Sequence, residues 1–282
     1  MTGHIATQMA TAMATNDARL APYRVTAFNS ARESENRIHD DEVARKFGFG
    51  GALVPGVDVY AYMTHLPVQL WGRAWLERGC AECRFLKPVY DGETATVTAI
   101  ATADTLAIEV SSRGELCATG QASLPADPPP APALDGFHEV AAPSRRPPAD
   151  ETTLAQGTWL GIRPLTVSAG FAAQYLRDLR ETDPLYARDG LAHPGMILRT
   201  LNWALTHNVV LGPWIHVGSK VQHFACVAVG EEVSARACVV ANYERKGHRF
   251  VELDGLVLAN GVRPVARIAH TAIYRPREAA AA

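Results

Sequence analysis

The clearest hydrophobic pattern lies in the second half of the chain. Met196, Ile197, Thr200, Leu201, Ala204, Leu205 and Val209 recur at helical spacing and form one stripe. They predict a helix opening at Pro194-Gly195, with a proline in the first turn, where its missing N–H costs nothing. After it the pattern shifts toward strand-like runs near 216–227, 231–243, 248–259 and 264–274. Ahead of it lie an opening run at 162–168 and a helix near 170–180. The first half shows the same order. A strand at 23–29 is followed by a short acid-started helix at 40–48 and a helix opening at Pro55-Gly56. Runs near 80–89, 93–103, 106–112 and 115–124 then read as strands. Pro67 should kink or end the first central helix near His65.

The two halves keep step. Pro55-Gly56 and Pro194-Gly195 are 139 residues apart, and Asp91-Gly92-Glu93 and Val229-Gly230-Glu231 are 138 apart. Arg113-Gly114 and Asn260-Gly261 occupy matching hairpin turns. A tandem duplication accounts for this, and helices followed by uninterrupted antiparallel strands give an α+β class. The stretch 126–156 is rich in Pro and Ala and reads as a linker over the surface. The expected division is a flexible tail at 1–20, a first unit at 21–125, the linker, and a second unit at 157–276.

Composition narrows the functions available. With 27 basic and 29 acidic residues the formal charge is −2, which argues against nucleic acid or an anionic membrane as partner. No apolar run reaches the ~18 residues of a membrane span. The first twenty residues lack the apolar core of a secretory leader, and five cysteines form no even framework, so a cytoplasmic protein is expected. Cys80 and Cys83 form a lone C-x-x-C without the further ligands a zinc site needs, so no metal is expected.

The polar residues ahead of the first central helix carry the chemistry. Ser34-Glu35-Asn36-Arg37-Ile38-His39-Asp40-Asp41, then Ala44, Phe47-Gly48-Phe49 and Leu53-Val54-Pro55-Gly56, resemble the signature of the MaoC-like (R)-specific enoyl-CoA hydratase/dehydratase family. That signature runs Asp-x-Asn-Pro-Leu-His-x-Asp, then Ala, then Gly-Phe, then Ile-Ala-His-Gly ahead of the helix. The resemblance implies a double hot-dog fold, in which each sheet wraps one long helix. It also implies a lyase that adds or removes water at the 2,3-bond of an acyl thioester in fatty acid metabolism. The carrier would be acyl-CoA or an acyl-carrier protein, with no cofactor.

Carried over by position, His39 is the acid–base group, Asn36 positions it, and Gly56, with Val54 and Pro55 before it, holds the thioester oxygen at the helix N-terminus. Ser34 stands where the family has Asp, and Glu35 beside it is the near carboxylate. Pro55 stands where the family has His. In the second half Glu181, Asp183 and Tyr186 take the Asp, Asn and His places, and His193 precedes Pro194-Gly195, marking a degenerate pocket. Glu181 should not reach His39, because duplicated sites of this kind lie far apart.

His65, His207, His216, His223, His248 and His270 share no ligand spacing and read as ordinary core-edge residues. Arg84, Lys87 and Lys220 are strand-start cations that would meet a phosphate. The alternatives are another chemistry on the same scaffold, such as thioester hydrolysis, or an acyl-ligand binder that has lost its catalytic Asp. The chain would be a monomer of two hot dogs or a homodimer.

Overall fold

The computed structural model describes residues 18–277. In the first unit β1 (Ala18–Arg19) and β2 (Tyr23–Thr26) lead to α1 (Asp41–Lys46), α2 (Gly56–Trp71) and α3 (Arg73–Arg78). Strands β3 (Cys80–Phe85), β4 (Thr94–Thr102), β5 (Thr105–Ser112) and β6 (Glu115–Ser123) follow. The second unit repeats the plan with β7 (Trp159–Gly161), β8 (Leu165–Thr166), α4 (Ala169–Leu179), α5 (Leu185–Asp189) and α6 (Pro194–Thr206). It ends in β9 (Ile215–His223), β10 (Glu232–Arg245), β11 (His248–Ala259) and β12 (Arg263–Arg275).

All twelve strands join one sheet, in the order β1-β4-β5-β6-β3-β9-β12-β11-β10-β7, with β2 on β4 and β8 on β10. The two units meet at an antiparallel seam between β3 and β9, with Cys83 opposite Ser219. Strands alternate in burial: Ala95, Val97, Ala99 and Ala101 of β4 face inward while their neighbours face out. The hairpins turn on residue pairs with positive φ, at Arg113-Gly114, Lys246-Gly247 and Asn260-Gly261, as tight type I′ turns require.

The central helices pack on the sheet and against each other. Every residue of the predicted stripe is buried, from Met196 to Leu205 on α6 and Val209 just beyond its end. A methyl group on Gly195 would sit 2.7 Å from the Ala61 side chain, so the two central helices touch at a point only glycine allows. Asp40 caps α1 by accepting from Glu42 and Val43, and Ser168 caps α4 by accepting from Phe171.

Three expectations need correction. Helix α2 runs through Pro67 to Trp71. Residues 57–68 are all buried, and packing on every side outweighs the lost hydrogen bond, which costs about 3 kcal/mol. The first unit begins before residue 21, because Ala18 and Arg19 pair with Ala101 and Ile100; the rest of the expected tail lies outside the described residues. The linker is also anchored to the second unit from Phe137 onward. Phe137 and Leu154 are buried, Arg146 reaches Thr206 O, and Arg236 binds the Phe137 carbonyl.

Candidate functional site

His39 and Asn36 sit in the single 3₁₀ turn between β2 and α1. The turn packs against the loop before β9, so one wall of the site comes from each unit. Asn36 is fixed by the Trp214 backbone. Its Oδ1 accepts from Trp214 N at 3.1 Å and its Nδ2 donates to Trp214 O at 3.0 Å. That orientation turns the second amide hydrogen toward His39 Nε2, 3.3 Å away. On the other side of the ring, His39 Nδ1 donates to Leu53 O at 2.7 Å. The proton is therefore on Nδ1, and Nε2 presents a lone pair. Burial holds His39 below the usual imidazole range, only partly offset by the Leu53 bond.

Asn36, His39, Val54, Pro55 and Gly56 line one cavity of about 290 Å³. Its other walls are mostly apolar: Ile38, Phe49, Leu53, Val59, Phe85, Val89, Ile215 and Ile273. A second, polar groove of about 590 Å³ reaches the same His39, Asn36 and Trp214 from the outside, past Ser34, Glu35, Arg146, Arg163 and Arg199. Asn202 of α6 borders both spaces.

The N-terminus of α2 opens on the cavity. Pro55 has no side chain that can cap it. The first-turn N–H of Gly56 is left for a ligand oxygen. In the second unit the equivalent helix is closed. His193 Nδ1 accepts from Gly195 N at 3.1 Å, consuming the same N–H.

Glu35 does not stand in for the missing aspartate. Its carboxylate is largely exposed and clasped by both terminal nitrogens of Arg146, at 2.8 and 3.1 Å. Ser34 lines the outer groove, with its hydroxyl enclosed and without a partner among the protein's own groups. The buried carboxylate of this region is Asp58, one turn into α2, which pairs with Arg199 of α6 and accepts from Ser30. A lone Asp in an apolar helix gave no sequence signal of this, because its partner lies 141 residues away.

The second-half residues Glu181, Tyr186 and His193, read from the sequence as a degenerate pocket, are packed shut. Glu181 accepts from His65 Nδ1 at 2.8 Å and from the backbone of Thr182 and Asp183. His193 Nε2 lies 3.5 Å from its other oxygen. Burial pushes the Glu181 carboxyl up, but the two imidazoles pull it well below the carboxylate range. Tyr186 and His193 are each 1% exposed, and their rings lie 4.6 Å apart. Two further readings change. His65 is the first unit's partner to Glu181 and stacks on Tyr23 at 3.7 Å, and His216 lines the cavity. His65 showed no spacing because its partner lies across the duplication, whereas His216 binds Ser219 within its own unit and reaches the first unit through Phe85 and the cavity.

Of the strand-start cations, Lys87 borders the cavity and binds Glu115, while Lys220 pairs with Glu82 across the seam. Arg84 faces a separate groove over the sheet. All five cysteines are free, and burial pushes the Cys83 thiol up to about 12. Among the described residues no group of three or more His, Cys, Asp or Glu is disposed to hold a metal. Among them, too, no helix is long and apolar enough to cross a membrane.

No protein-family model matches the sequence, and no curated protein matches it. Solved structures do. A Chloroflexus aurantiacus protein described as a MaoC domain dehydratase superposes with a TM-score of 0.65 at 13% identity, over 93% of this chain and 96% of that one. A Mycobacterium tuberculosis protein described as having a double hot-dog fold gives 0.62 at 17% identity, over 92% and 96%.

The chain is a double hot dog.

A Novosphingobium aromaticivorans protein described as a thioesterase shares the fold at a TM-score of 0.52 and 13% identity, over 90% and 96% of the two chains. The double hot dog thus has MaoC-like dehydratases and a thioesterase among its structural neighbours. At such identities the likeness is one of fold, and the chemistry has to be argued from the cavity itself.

Proposed function

We propose that the double hot dog binds an acyl thioester in the 290 Å³ cavity and adds or removes water at its 2,3-bond. One observation carries the reading. A neutral imidazole, its Nε2 lone pair met only by the 3.3 Å contact from Asn36, and the uncapped N-terminus of α2 line the same apolar space.

In the hydration direction, His39 Nε2 takes a proton from water as the water oxygen bonds to C3 of the enoyl group. The C2–C3 π pair moves toward the thioester, and the carbonyl becomes an enolate. The Gly56 N–H stabilises that oxyanion. His39 Nε2–H then returns the proton to C2, and the thioester carbonyl re-forms. Asn36 faces the ring while Nε2 is unprotonated, and the Nδ1–H bond to Leu53 O keeps it aimed throughout. One imbued imidazole serves in turn as base and acid, so the scheme needs no carboxylate at position 34. Apolar walls and a cavity of this volume suit a short acyl chain, with coenzyme A as the carrier.

The test is the loss of enoyl-thioester ultraviolet absorbance over a panel of enoyl-CoA chain lengths. Turnover is expected for short chains, and His39→Ala should lower it about 10²–10⁴-fold. Release of free thiol from saturated acyl-CoA without any hydration would instead assign the cavity to thioester hydrolysis.

A further inference from the structure

Three buried side chains of the second unit form a chain that ends at this cavity. His216 Nε2 lies 2.8 Å from Ser219 Oγ, and Ser219 Oγ lies 3.0 Å from His270 Nδ1. The two imidazoles stack at 4.3 Å, and Phe85 closes on His216 edge-on at 4.8 Å. His216, Ser219 and His270 are 6%, 5% and 1% exposed. The remaining ring nitrogen, His216 Nδ1, is enclosed and has no partner among the protein's groups. It lies beside the start of α2: a methyl group on Gly56 would sit 2.9 Å from it.

A buried polar atom left unpaired costs about 1–3 kcal/mol. Here the ring is held by Ser219, His270 and Phe85, and it lines a ligand-sized cavity at an uncapped helix N-terminus. Burial, with His270 second, keeps His216 well below the usual imidazole range against the raising pull of the Gly218 backbone, so the ring carries one proton.

We infer that His216 is a second catalytic donor to the thioester oxygen, its Nδ1–H acting beside the Gly56 N–H. The inference rests on the acyl-thioester reading above. Ser219 is then a positioning residue: His270 Nδ1–H donates to Ser219 Oγ, whose own hydrogen goes to His216 Nε2, leaving the ring proton on Nδ1. No proton is transferred and no bond breaks. A neutral imidazole polarises the carbonyl and strengthens its hydrogen bond as the enolate charge develops.

The experiment measures the carbonyl stretch of bound butyryl-CoA, labelled with ¹³C at the thioester carbon, by difference infrared spectroscopy. The turnover of a four-carbon enoyl-CoA is measured alongside. In the unmodified protein the stretch should move to lower wavenumber on binding. His216→Leu should remove much of that shift and lower kcat about 10²-fold, with KM little changed. His216→Asn places an amide N–H near the Nδ1 position and should restore most of the shift. Ser219→Ala frees the ring and should give an intermediate loss; it also decides the matter should His216→Leu fail to fold. If butyryl-CoA binds but its stretch and the turnover are the same with and without the His216 imidazole and the Ser219 hydroxyl, the inference is wrong while the thioester reading stands. If the unmodified protein neither binds butyryl-CoA nor turns over the enoyl-CoA, the thioester reading fails and the inference falls with it.

Discussion

At the scale of single residues, the site turns on which atoms are already spoken for. His39 has one nitrogen committed to Leu53 and one left for chemistry. Its depressed pKa sets a pH signature. The active form is neutral, so kcat/KM should hold steady from neutral pH down through the ordinary imidazole value near 6.5 and fall only below it. An acidic limb centred above that value would mean that His39 is not the base. Glu35 has both oxygens on Arg146 and faces solvent. Glu35→Gln should therefore change turnover less than about threefold, since an exposed ion pair contributes little. A loss as deep as that of His39→Ala would put a carboxylate back into the mechanism. Ser34→Asp places a carboxylate where the MaoC-like signature has one, and turnover should rise about tenfold or more, within the range of acid–base assistance. A fall in turnover with the fold intact would show that position 34 serves some other chemistry.

Between elements, the contact that joins the two central helices near the site is ionic. Asp58 of α2 has a side chain only 1% exposed and meets Arg199 of α6, with Ser30 as a third member. Such a pair adds little stability over apolar residues, but breaking it strands a buried charge. Arg199→Met should lower unfolding free energy by about 3–5 kcal/mol, and adding Asp58→Asn to it should recover much of that loss. Denaturant unfolding of the two single variants and the double variant measures this directly. Additive losses would mean that the pair is not coupled.

Across the whole molecule, the duplication has produced one open site and one closed one. Where the first unit leaves the helix start bare at Pro55, the second covers it with His193 and fills the space with Tyr186 and Tyr175. The core also holds several imidazoles in their neutral form. Burial lowers His223 to about 4 and His270 to about 3, and holds His39 and His216 below their usual range. In the unfolded chain these rings take up protons near 6.5, while in the folded protein they do not. The unfolded state thus binds more protons, and stability should be lost as pH falls from about 6.5 toward 4. Each ring contributes at most about 1.4 kcal/mol per pH unit. Unfolding midpoints measured between pH 7 and 4.5 should drop steadily; a flat profile would mean that the rings charge in place.

The sequence by itself determined the elements and their order. Period-3.6 and strand-like patterns, hairpin glycines and the offsets near 139 are local or additive signals, and each is set by which face a residue must bury. It also marked Asn36, His39 and Gly56, because they share a short motif and one turn-to-helix segment. Tertiary structure alone decided the remainder. Pro67 stays helical because burial surrounds it. Glu35 turns outward because Arg146 of the linker is there to take it. Trp214, Asn202, Arg199 and His216 reach the first unit's site from the second unit; Arg199 meets Asp58 across 141 residues of chain and Trp214 meets Asn36 across 178. Contacts of that separation are made by the closing of the sheet at the β3–β9 seam. The seam's pairing depends on backbone hydrogen bonds that every residue offers alike, so no side-chain pattern announces it.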